Sequence, residues 1–430
     1  MSPSIRTLTL FALVALLIIG TGVIQGWDLA LVILNMGLVS AIMSLGVNLQ
    51  WGIAGLFNVG VMGFVALGGM AVVLASVDPV GEAWAAGGAR AILALVLGAA
   101  TIVATVLAWK KTRNRWLTAA ILIAGFVIYR MVRDPGVDAI EAVNPAGTGF
   151  LGGLGLPVVI GWMVGGLLAA GAAWIIGKTA LGLRSDYLAI ATLGISEIII
   201  AIMKNEEWLT RGVKNVTGLP RPMPDAIDLQ NDPGFVERAA NLGFDPTAAS
   251  TLYIKIGYGL MFAAVLIILL VLAQLALNSP WGRMMRAIRD NETSARAMGK
   301  DVTFRHLQVF ILGSAICGIA GAMMTTLDGQ LIPTSYQPLR YTFLIWVMVI
   351  VGGSGNNLGA VLGGFLIWFL WVQVEVLGPG FMTWVTGALP DDSGLKEHLL
   401  DSVQHMRLLT MGVILLLVLR FSPRGLLPER

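Results

Sequence analysis

Long apolar runs separated by short polar breaks are the feature of this sequence that most constrains its fold. Several of the runs approach the roughly 20 apolar residues that a helix needs to cross the hydrocarbon core of a bilayer. Irregular backbone cannot face lipid, because its amide and carbonyl groups would lack partners there, so each run is predicted to be helical. Only 12% of the 430 residues are charged, about half the fraction typical of a soluble domain. The sequence therefore predicts an all-α, polytopic integral membrane helical bundle.

The runs predict about 10–12 transmembrane helices within a single transmembrane domain, residues 1–430. They cover residues 8–24, 29–49, 54–76, 89–109, 116–132, 157–177, 187–203, 252–277, 307–327, 341–351, 358–377 and 406–421. The run at 116–132 is short. The runs on either side of the turn at 352–357 are either two spans or one span plus a re-entrant piece.

Basic clusters alternate with mixed-charge segments along the chain. The clusters lie at residues 110–115, 178–184, 283–305 and 420–430. If both termini are cytoplasmic, every cluster falls on the cytoplasmic side, as the positive-inside rule requires. The polar segment 204–252 mixes acidic and basic residues and is then an external loop. The basic residues are accounted for by topology, so no nucleic-acid partner is expected.

The segment 279–305 carries six basic and three acidic residues between two apolar runs. Ser279 is placed to cap a helix that begins at Pro280. Met285 and Ile288 share one face of that helix, and the pattern predicts that this face is offered to a partner. The alternative interpretation is a solvated basic loop that fixes topology and lies on anionic lipid.

Local spacing in the same segment predicts two ion pairs and a helix end. Arg286 and Asp290 lie four residues apart, as do Glu292 and Arg296, which are in the favoured order for a helical pair. Gly299 is placed to end a second short helix. The segment thus predicts two short amphipathic helices.

Three polar residues within apolar sequence are candidates for a translocation path. Glu197 lies deep in the run 187–203, where an unpaired carboxylate costs at least about 2.5–3.5 kcal/mol. It is predicted to face a watery path. The alternatives are a structural pair with a backbone donor, or a position nearer the external surface. Asn48 and Asn58 lie in or near the polar break before the third helix and are weaker candidates.

Catalytic and metal-binding motifs are absent from the sequence. The three histidines show no metal-ligand spacing, and Gly177-Lys-Thr179 follows a span rather than the strand and loop of a phosphate-binding motif. No catalytic residue, metal ion or cofactor is therefore assigned to this chain, which is not predicted to be an enzyme. Any energy must come from another subunit or an ion gradient.

Two stretches resemble the LivM-type permease subunits of branched-chain amino acid ABC transporters. The first is Leu183-Arg-Ser-Asp-Tyr-Leu-Ala-Ile-Ala-Thr-Leu-Gly-Ile-Ser-Glu-Ile198. The second runs from Ser279-Pro-Trp-Gly-Arg to Ala295-Arg-Ala-Met-Gly299 and resembles the family's ATPase-contacting loop. Gly352-Gly-Ser-Gly-Asn-Asn-Leu-Gly359 and Gly52-Ile-Ala-Gly-Leu56 also match family patterns.

The resemblance implies a permease that works with a LivH-like sister permease, two cytoplasmic ATPases that use ATP, and a periplasmic solute-binding protein. It implies a multi-pass position in the bacterial inner membrane. It assigns an ATPase-coupling loop to residues 279–305. The coupling residues it implies are Arg283, Arg286, Arg289, Glu292, Ala295 and Gly299.

Two features depart from the family pattern. Thr293 and Ser294 replace the start of the usual Glu-Ala-Ala sequence, so the acidic position is lost or moved to Glu292. Residues 78–148 have no recognised counterpart and predict an added helical hairpin. The functional hypothesis is import of branched-chain or related amino acids. The alternative is a secondary transporter of small polar solutes coupled to protons through Glu197.

Overall fold

A computed structural model describes residues 3–145, 147–387, 389–390 and 393–429. Within these residues ten helical segments are long and apolar enough to cross a membrane, and Val61–Ser76 and Pro338–Gly352 are shorter apolar helices. The all-α, polytopic prediction is therefore confirmed. The basic residue Arg430 of the last predicted cluster lies outside the described residues.

Nineteen helices and two short strands make up the described fold. The helices are α1 (Pro3–Ile24), α2 (Trp27–Val47), α3 (Val61–Ser76), α4 (Gly81–Ala83), α5 (Ala89–Thr112), α6 (Arg115–Glu141), α7 (Val158–Ala180), α8 (Ser185–Asn205), α9 (Glu207–Thr210), α10 (Ala226–Asn231), α11 (Pro233–Asn241), α12 (Pro246–Asn278), α13 (Pro280–Asp290), α14 (Glu292–Ala297), α15 (Val302–Asp328), α16 (Pro338–Gly352), α17 (Asn357–Thr386), α18 (Gly394–Asp401) and α19 (Met406–Phe421). The strands are β1 (Val216–Thr217) and β2 (Gln330–Leu331), which pair antiparallel. Short π-helical or 3-10 turns lie at Asn48–Ile53, Trp84–Gly88, Gly212–Lys214, Pro333–Ser335 and Ser402–His405.

Small residues allow the central helices to meet backbone to backbone. A side chain at Gly68 of α3 would collide with the carbonyl oxygen of Gly318 in α15. One at Gly318 would in turn lie 2.5 Å from the carbonyl oxygen of Gly165 in α7. In lipid the hydrophobic effect does little to drive helices together, so van der Waals contact at close approach supplies the attraction instead. Helices α3, α7 and α15 therefore form a tight centre, with α2 packed on α15.

Several predicted boundaries are wrong. The third helix begins at Val61 rather than at residue 54, because a π-helical turn at Asn48–Ile53 is followed by non-helical backbone. Helix α6 continues to Glu141, through Pro135, into a region predicted to be a loop. Around the 352–357 turn, α16 and α17 are two separate helices, and α17 continues to Thr386.

The segment predicted as an external loop, 204–252, contains short helices and one strand. It holds α9, α10 and α11 as well as β1, and α12 already begins at Pro246 within it. Asp232 and Asp245 accept hydrogen bonds from backbone amides at the starts of α11 and α12, where prolines occupy the first helical turn. Pro233 and Pro246 thus each lie in the first turn of a helix.

Helices α5 and α6 form a hairpin that stands apart from the central bundle. Their facing surfaces meet through Gly98 against Tyr129 and Gly125 against Thr101. Large apolar side chains on both helices are exposed. The hairpin is attached near its base, where Trp208 and Val137 share a small separate core and Arg133 pairs with Glu206. This agrees with an added hairpin, although its status as an insertion stays a prediction.

Both ends of the chain lie beside the basic segment 279–305. Thr7 near the start of α1, Arg286 of α13 and Glu429 line one cleft of about 270 Å³ together with Asn356. We call this side of the bundle the basic end. The 204–252 segment lies at the opposite end, since β1 pairs with β2 beyond the far end of α15. Placement of both termini at one end agrees with the predicted topology, whose absolute orientation stays a prediction.

Candidate functional site

The basic segment forms the two short helices that local spacing predicts. The hydroxyl oxygen of Ser279 accepts a hydrogen bond from the amide of Trp281 and caps α13. Arg296 and Glu292 form an ion pair across one turn of α14, at 2.6 Å. Gly299, with φ of +76°, follows the end of α14 in the left-handed conformation that favours glycine. These local predictions are confirmed.

The apolar face of α13 is turned inward, contrary to the prediction that it is offered to a partner. Met285 is 0% exposed and Ile288 is 1% exposed, and both belong to the main core of the bundle. Burying two large apolar side chains of this kind contributes about 1.5–3 kcal/mol each. The segment is therefore docked on the bundle. It is not a loose loop.

Arg289 connects α13 to the polar break after α2. One of its Nη atoms donates a hydrogen bond to the carbonyl oxygen of Gly52, at 2.6 Å, and lies 2.8 Å from a carboxylate oxygen of Glu429. The other pairs with Asp290 at 3.2 Å. Burial lowers the pKa of Arg289, but the hydrogen bonds and negative charges of Glu429 and Asp290 outweigh it and raise that pKa. The guanidinium is held in place as a cation.

Arg286 does not pair with Asp290 as predicted. Its Nε lies 3.9 Å from a carboxylate oxygen of Glu429, and an Nη donates a hydrogen bond to the carbonyl oxygen of Leu277. The cause is competition, because Arg289 takes Asp290 and the chain's C-terminal segment brings Glu429 alongside both arginines. The predicted helical pair is lost to a contact that is remote in sequence.

Glu429 is the residue of this site that the sequence did not indicate. The segment before it is held by hydrogen bonds from the amides of Leu426 and Leu427 to the carbonyls of Val351 and Gly352, both at 2.8 Å. Glu429 lies so close to Gly355 that a Cβ there would come within 2.7 Å of its carboxylate. A signal existed, since Glu429 is the only acidic residue after Asp401. Its partners, however, lie about 140 positions earlier in the chain.

The remaining predicted coupling residues divide between two surfaces. Arg283, Glu292 and Gly299 are exposed on the outer side of the segment, whereas Ala295 is buried beneath it. Met298, at 80% exposed, is the largest apolar group on this outer surface. We define the outer coupling surface by its exposed members, which are Arg283, Glu292, Arg296, Met298, Gly299 and Lys300.

Asn48 and Asn58 are fully buried and hydrogen-bonded. The amide of Asn48 donates to the side-chain oxygen of Asn357 at 3.0 Å, and its own oxygen accepts from the Gly355 amide at 2.8 Å. Asn58 donates to Gln50 at 2.9 Å and accepts from the Gly60 amide at 2.9 Å. Asn48 and Asn58 therefore provide hydrogen-bond acceptors for the backbone amides of Gly355 and Gly60. Their place on a translocation path stays a prediction.

Asn48 also joins the two helix breaks of the bundle. It lies in the break after α2, and its partners Gly355 and Asn357 lie in the turn between α16 and α17. Arg289 and Glu429 contact the same two places from the basic end. One continuous set of polar contacts thus links α13 to both breaks.

Glu197 lies elsewhere, on the exposed face of α8. It lines a groove of about 580 Å³ with Lys204 and Arg340. Among residues 3–145, 147–387, 389–390 and 393–429, no hydrogen bond or ion pair is formed by Glu197. The structure does not bring Glu197 together with Asn48 or Asn58. A carboxylate on the outside of a membrane helix is costly in lipid, so this face requires water or a protein partner.

The chain matches the family described as branched-chain amino acid transport system / permease component over residues 117–419. It is 25% identical over 271 residues to the Escherichia coli (strain K12) high-affinity branched-chain amino acid transport system permease protein LivM, covering 62% of this chain and 56% of that protein. It is 27% identical over 281 residues to the probable branched-chain amino acid transport permease protein LivM of Methanocaldococcus jannaschii, covering 64% of this chain and 67% of that protein. A probable LivH permease of the same organism is 30% identical over 112 residues, 25% of this chain and 35% of that protein. No solved structure matches the chain significantly.

The match covers more than half of the chain and includes the basic segment, the 352–357 turn and α8. It begins inside α6, so the status of residues 78–148 is not decided by it. The helical, multi-pass fold agrees with the match. This chain belongs to the family of permease components of branched-chain amino acid transport systems.

Proposed function

We propose that this chain is the permease subunit of an ABC importer for branched-chain or related amino acids. Its family membership and its similarity to branched-chain amino acid transport permeases support the substrate class. The observation that carries the coupling role is the two-sided basic segment. Its inner side is fixed to the bundle by Met285, Ile288 and Arg289, while the side chains of its outer coupling surface are exposed.

The proposed mechanism is a rigid push on α13 and α14. ATPases bound to the outer coupling surface displace α13 when they move. The buried face of α13 and the contacts of Arg289 make α13 move together with the bundle. The displacement reaches the break at Gly52 through one hydrogen bond and the 352–357 turn through Glu429. Packed helices have discrete arrangements, so such a push shifts the bundle between two states.

The proposed partners are two cytoplasmic ATPases, a LivH-like sister permease and a periplasmic solute-binding protein, at the bacterial inner membrane. The chain itself binds no cofactor in this proposal, and ATP is used by the partner subunits. The exposed face around Glu197 and Arg340 supports a second membrane subunit, because charged side chains in a span are disfavoured against lipid. The match to a LivH protein over part of the chain is consistent with a related sister subunit.

The test is co-purification of the ATPases with a variant of the outer coupling surface. We expect Arg283→Glu with Arg296→Glu to release the ATPases while the permease remains inserted and monodisperse. The matched control is Arg113→Glu with Arg115→Glu, the same charge change at the hairpin tip, which should leave the ATPases bound. Retention of fully coupled ATPases by the first variant would contradict the proposal.

A second measurement separates the proposal from the proton-coupled alternative. Uptake into proteoliposomes should require ATP and persist when the proton gradient is collapsed. Uptake that stops with the gradient, and that Glu197→Gln abolishes without loss of ATP hydrolysis, would favour the alternative.

A further inference from the structure

A cavity of about 310 Å³ lies among α2, α3, α15, α16 and α17, away from the basic segment and from the Glu197 groove. Five of its twelve lining side chains are methionines: Met36, Met43, Met62, Met324 and Met348. The volume is at the lower end of the roughly 300–1,000 Å³ range of small-molecule sites. We call it the methionine cavity.

The mouth of the methionine cavity carries a negative charge. Asp328 is exposed at the far end of α15, opposite the basic end, and Ser335, which is also exposed, lines the same cavity. Within the described part of the chain Asp328 has no ion pair or hydrogen-bond donor. The guanidinium of Arg221 lies beside Gly329 at the end of α15 and meets the negative end of that helix, so the negative charge of the mouth rests on the Asp328 carboxylate. The mouth therefore favours a cation.

A second polar group lies deeper in the cavity. The indole Nε1 of Trp368 is buried and has no hydrogen-bond partner. Trp368 lies eleven residues into α17 from its start at the basic end, about 16 Å along the helix. Because an indole N–H can only donate, and leaving it unpaired is unfavourable, the cavity favours a ligand that supplies an acceptor.

The remaining walls are mainly apolar. Leu344 and Ile345 lie beside the five methionines, and Ser40 and Tyr341 are the other two lining residues. Methionine side chains are unbranched and polarizable and adjust to ligands of different shape. The floor reaches Met62, whose amide lies two residues beyond Gly60 in the break that Asn58 supports. The cavity therefore leads from the Asp328 mouth toward the break that Arg289 contacts at Gly52.

We infer that the methionine cavity is a binding site for a small zwitterion with an apolar side chain, with the ammonium group at Asp328 and the carboxylate accepting from Trp368. The inference rests on the proposed function and adds to it a site within this subunit. A solute released at the end opposite the basic segment rests here before the helix breaks rearrange. The methionines accept apolar side chains of several shapes.

The test uses the assembled transporter in lipid nanodiscs without the solute-binding protein. Ser335→Cys in a Cys317→Ser background places one thiol at the mouth, since Cys317 is the only cysteine of the chain and is buried. The rate of labelling by a charged maleimide is measured with increasing concentrations of three compounds. They are L-leucine, 3-methylbutylamine, which lacks the carboxylate, and 4-methylpentanoate, which lacks the ammonium group. We expect protection by L-leucine, weaker protection by the amine and none by the acid.

Variants at two cavity residues show which group of the ligand each residue binds. Asp328→Asn should raise the protecting concentration of L-leucine roughly tenfold or more, and Asp328→Glu should restore most of the protection. Trp368→Phe should weaken protection by L-leucine but leave that by 3-methylbutylamine unchanged. Asp228→Asn, an exposed carboxylate in the segment at the same end of the bundle, is the matched control and should have no effect.

Equal protection by the acid and the amine, or protection that ignores Asp328→Asn, would overturn the inference. Protection only by added phospholipid would identify an acyl-chain cleft instead and would also overturn it. ATP hydrolysis stimulated by the binding protein is measured on the same preparations. If stimulation is retained without protection, the site is wrong and the proposed function stands; if the unmodified complex shows no stimulation, the proposed function itself fails.

Discussion

Two basic segments of this protein, 110–115 and 279–305, have similar charge and very different surroundings. Both connect consecutive long helices, and both are predicted to be cytoplasmic. The hairpin tip exposes Trp116 to 87% and makes no ion pair among the described residues. The other segment buries Met285 and Ile288 and bonds Arg289 to Gly52 and Glu429.

The difference separates two uses of positive charge in a membrane protein. At the hairpin tip, the predicted role of the charge is to fix the side of the membrane, and that role needs no contact with the bundle. In the 279–305 segment, charge is combined with buried apolar anchors and a carboxylate from a remote part of the chain. Only the second arrangement can carry a force into the bundle, because only there does movement of the segment disturb packed residues.

The largest effect on coupling is expected from removing the apolar contact that holds α13 on the bundle. Ile288→Asp places an unpaired carboxylate in the core, at a cost of more than about 3 kcal/mol, and should release α13 from the bundle. We expect the ratio of solute-stimulated to basal ATP hydrolysis, called the coupling ratio, to fall to one. Trp116→Asp at the hairpin tip should leave the coupling ratio unchanged. A normal coupling ratio in Ile288→Asp would show that docking of α13 is unnecessary.

Removing the connecting arginine should have the next largest effect. Arg289→Ala deletes the hydrogen bond to Gly52 and the pair with Glu429, charge-assisted contacts that contribute about 1.5–3 kcal/mol. We expect uptake per ATP hydrolysed to fall roughly tenfold to a hundredfold. Arg115→Ala, an exposed arginine of the hairpin tip, is the control. Equal effects of the two substitutions would remove the distinction between the segments.

A smaller effect is expected when the carboxylate is neutralised. Glu429→Gln keeps a hydrogen-bond acceptor near Arg289 but loses the charge, so uptake per ATP should fall less than in Arg289→Ala. The double variant measures the interaction, which should lie within the roughly 0.5–3 kcal/mol found for residues in contact. Additive losses in the double variant would show that Glu429 and Arg289 act separately.

The smallest effect on coupling is expected at the hairpin tip itself. Replacement of Lys110, Lys111, Arg113 and Arg115 by glutamine removes attraction to anionic lipid of about 1 kcal/mol per residue. We expect an unchanged coupling ratio and a larger fraction of misoriented protein in proteoliposomes, measured by labelling of an exposed cysteine introduced by Ser335→Cys in the Cys317→Ser background. A lowered coupling ratio in correctly oriented protein would give the hairpin a role that its lack of contacts does not suggest.

Predictions from sequence succeeded where the interaction is local. Ser279 caps α13, Glu292 pairs with Arg296, and Gly299 ends α14, because each depends on residues within four positions. The pairing of Arg286 with Asp290 was equally local and is wrong, since Glu429 offers a competing carboxylate. Local spacing shows which contacts are available, but not which competitor arrives from elsewhere in the chain.

The candidate path residues show the same limit. Nothing in the sequence indicates that Asn48 bonds to Asn357, 309 positions away, or that Glu197 faces a groove with Arg340. The methionine cavity was missed as well, because its five methionines come from α2, α3, α15 and α16 and share no sequence pattern. Methionine in an apolar run is indistinguishable from ordinary core until neighbouring helices are placed around it.

The sequence by itself determined the membrane environment, the helical class and the approximate spans. These follow from composition along one dimension, because lipid accepts only backbone that satisfies its own hydrogen bonds. The tertiary structure alone decided which face of α13 is buried, which carboxylate holds Arg289, and that the α5–α6 hairpin stands apart. Those outcomes depend on contacts between residues remote in sequence, where packing and charge are settled only by the complete three-dimensional arrangement.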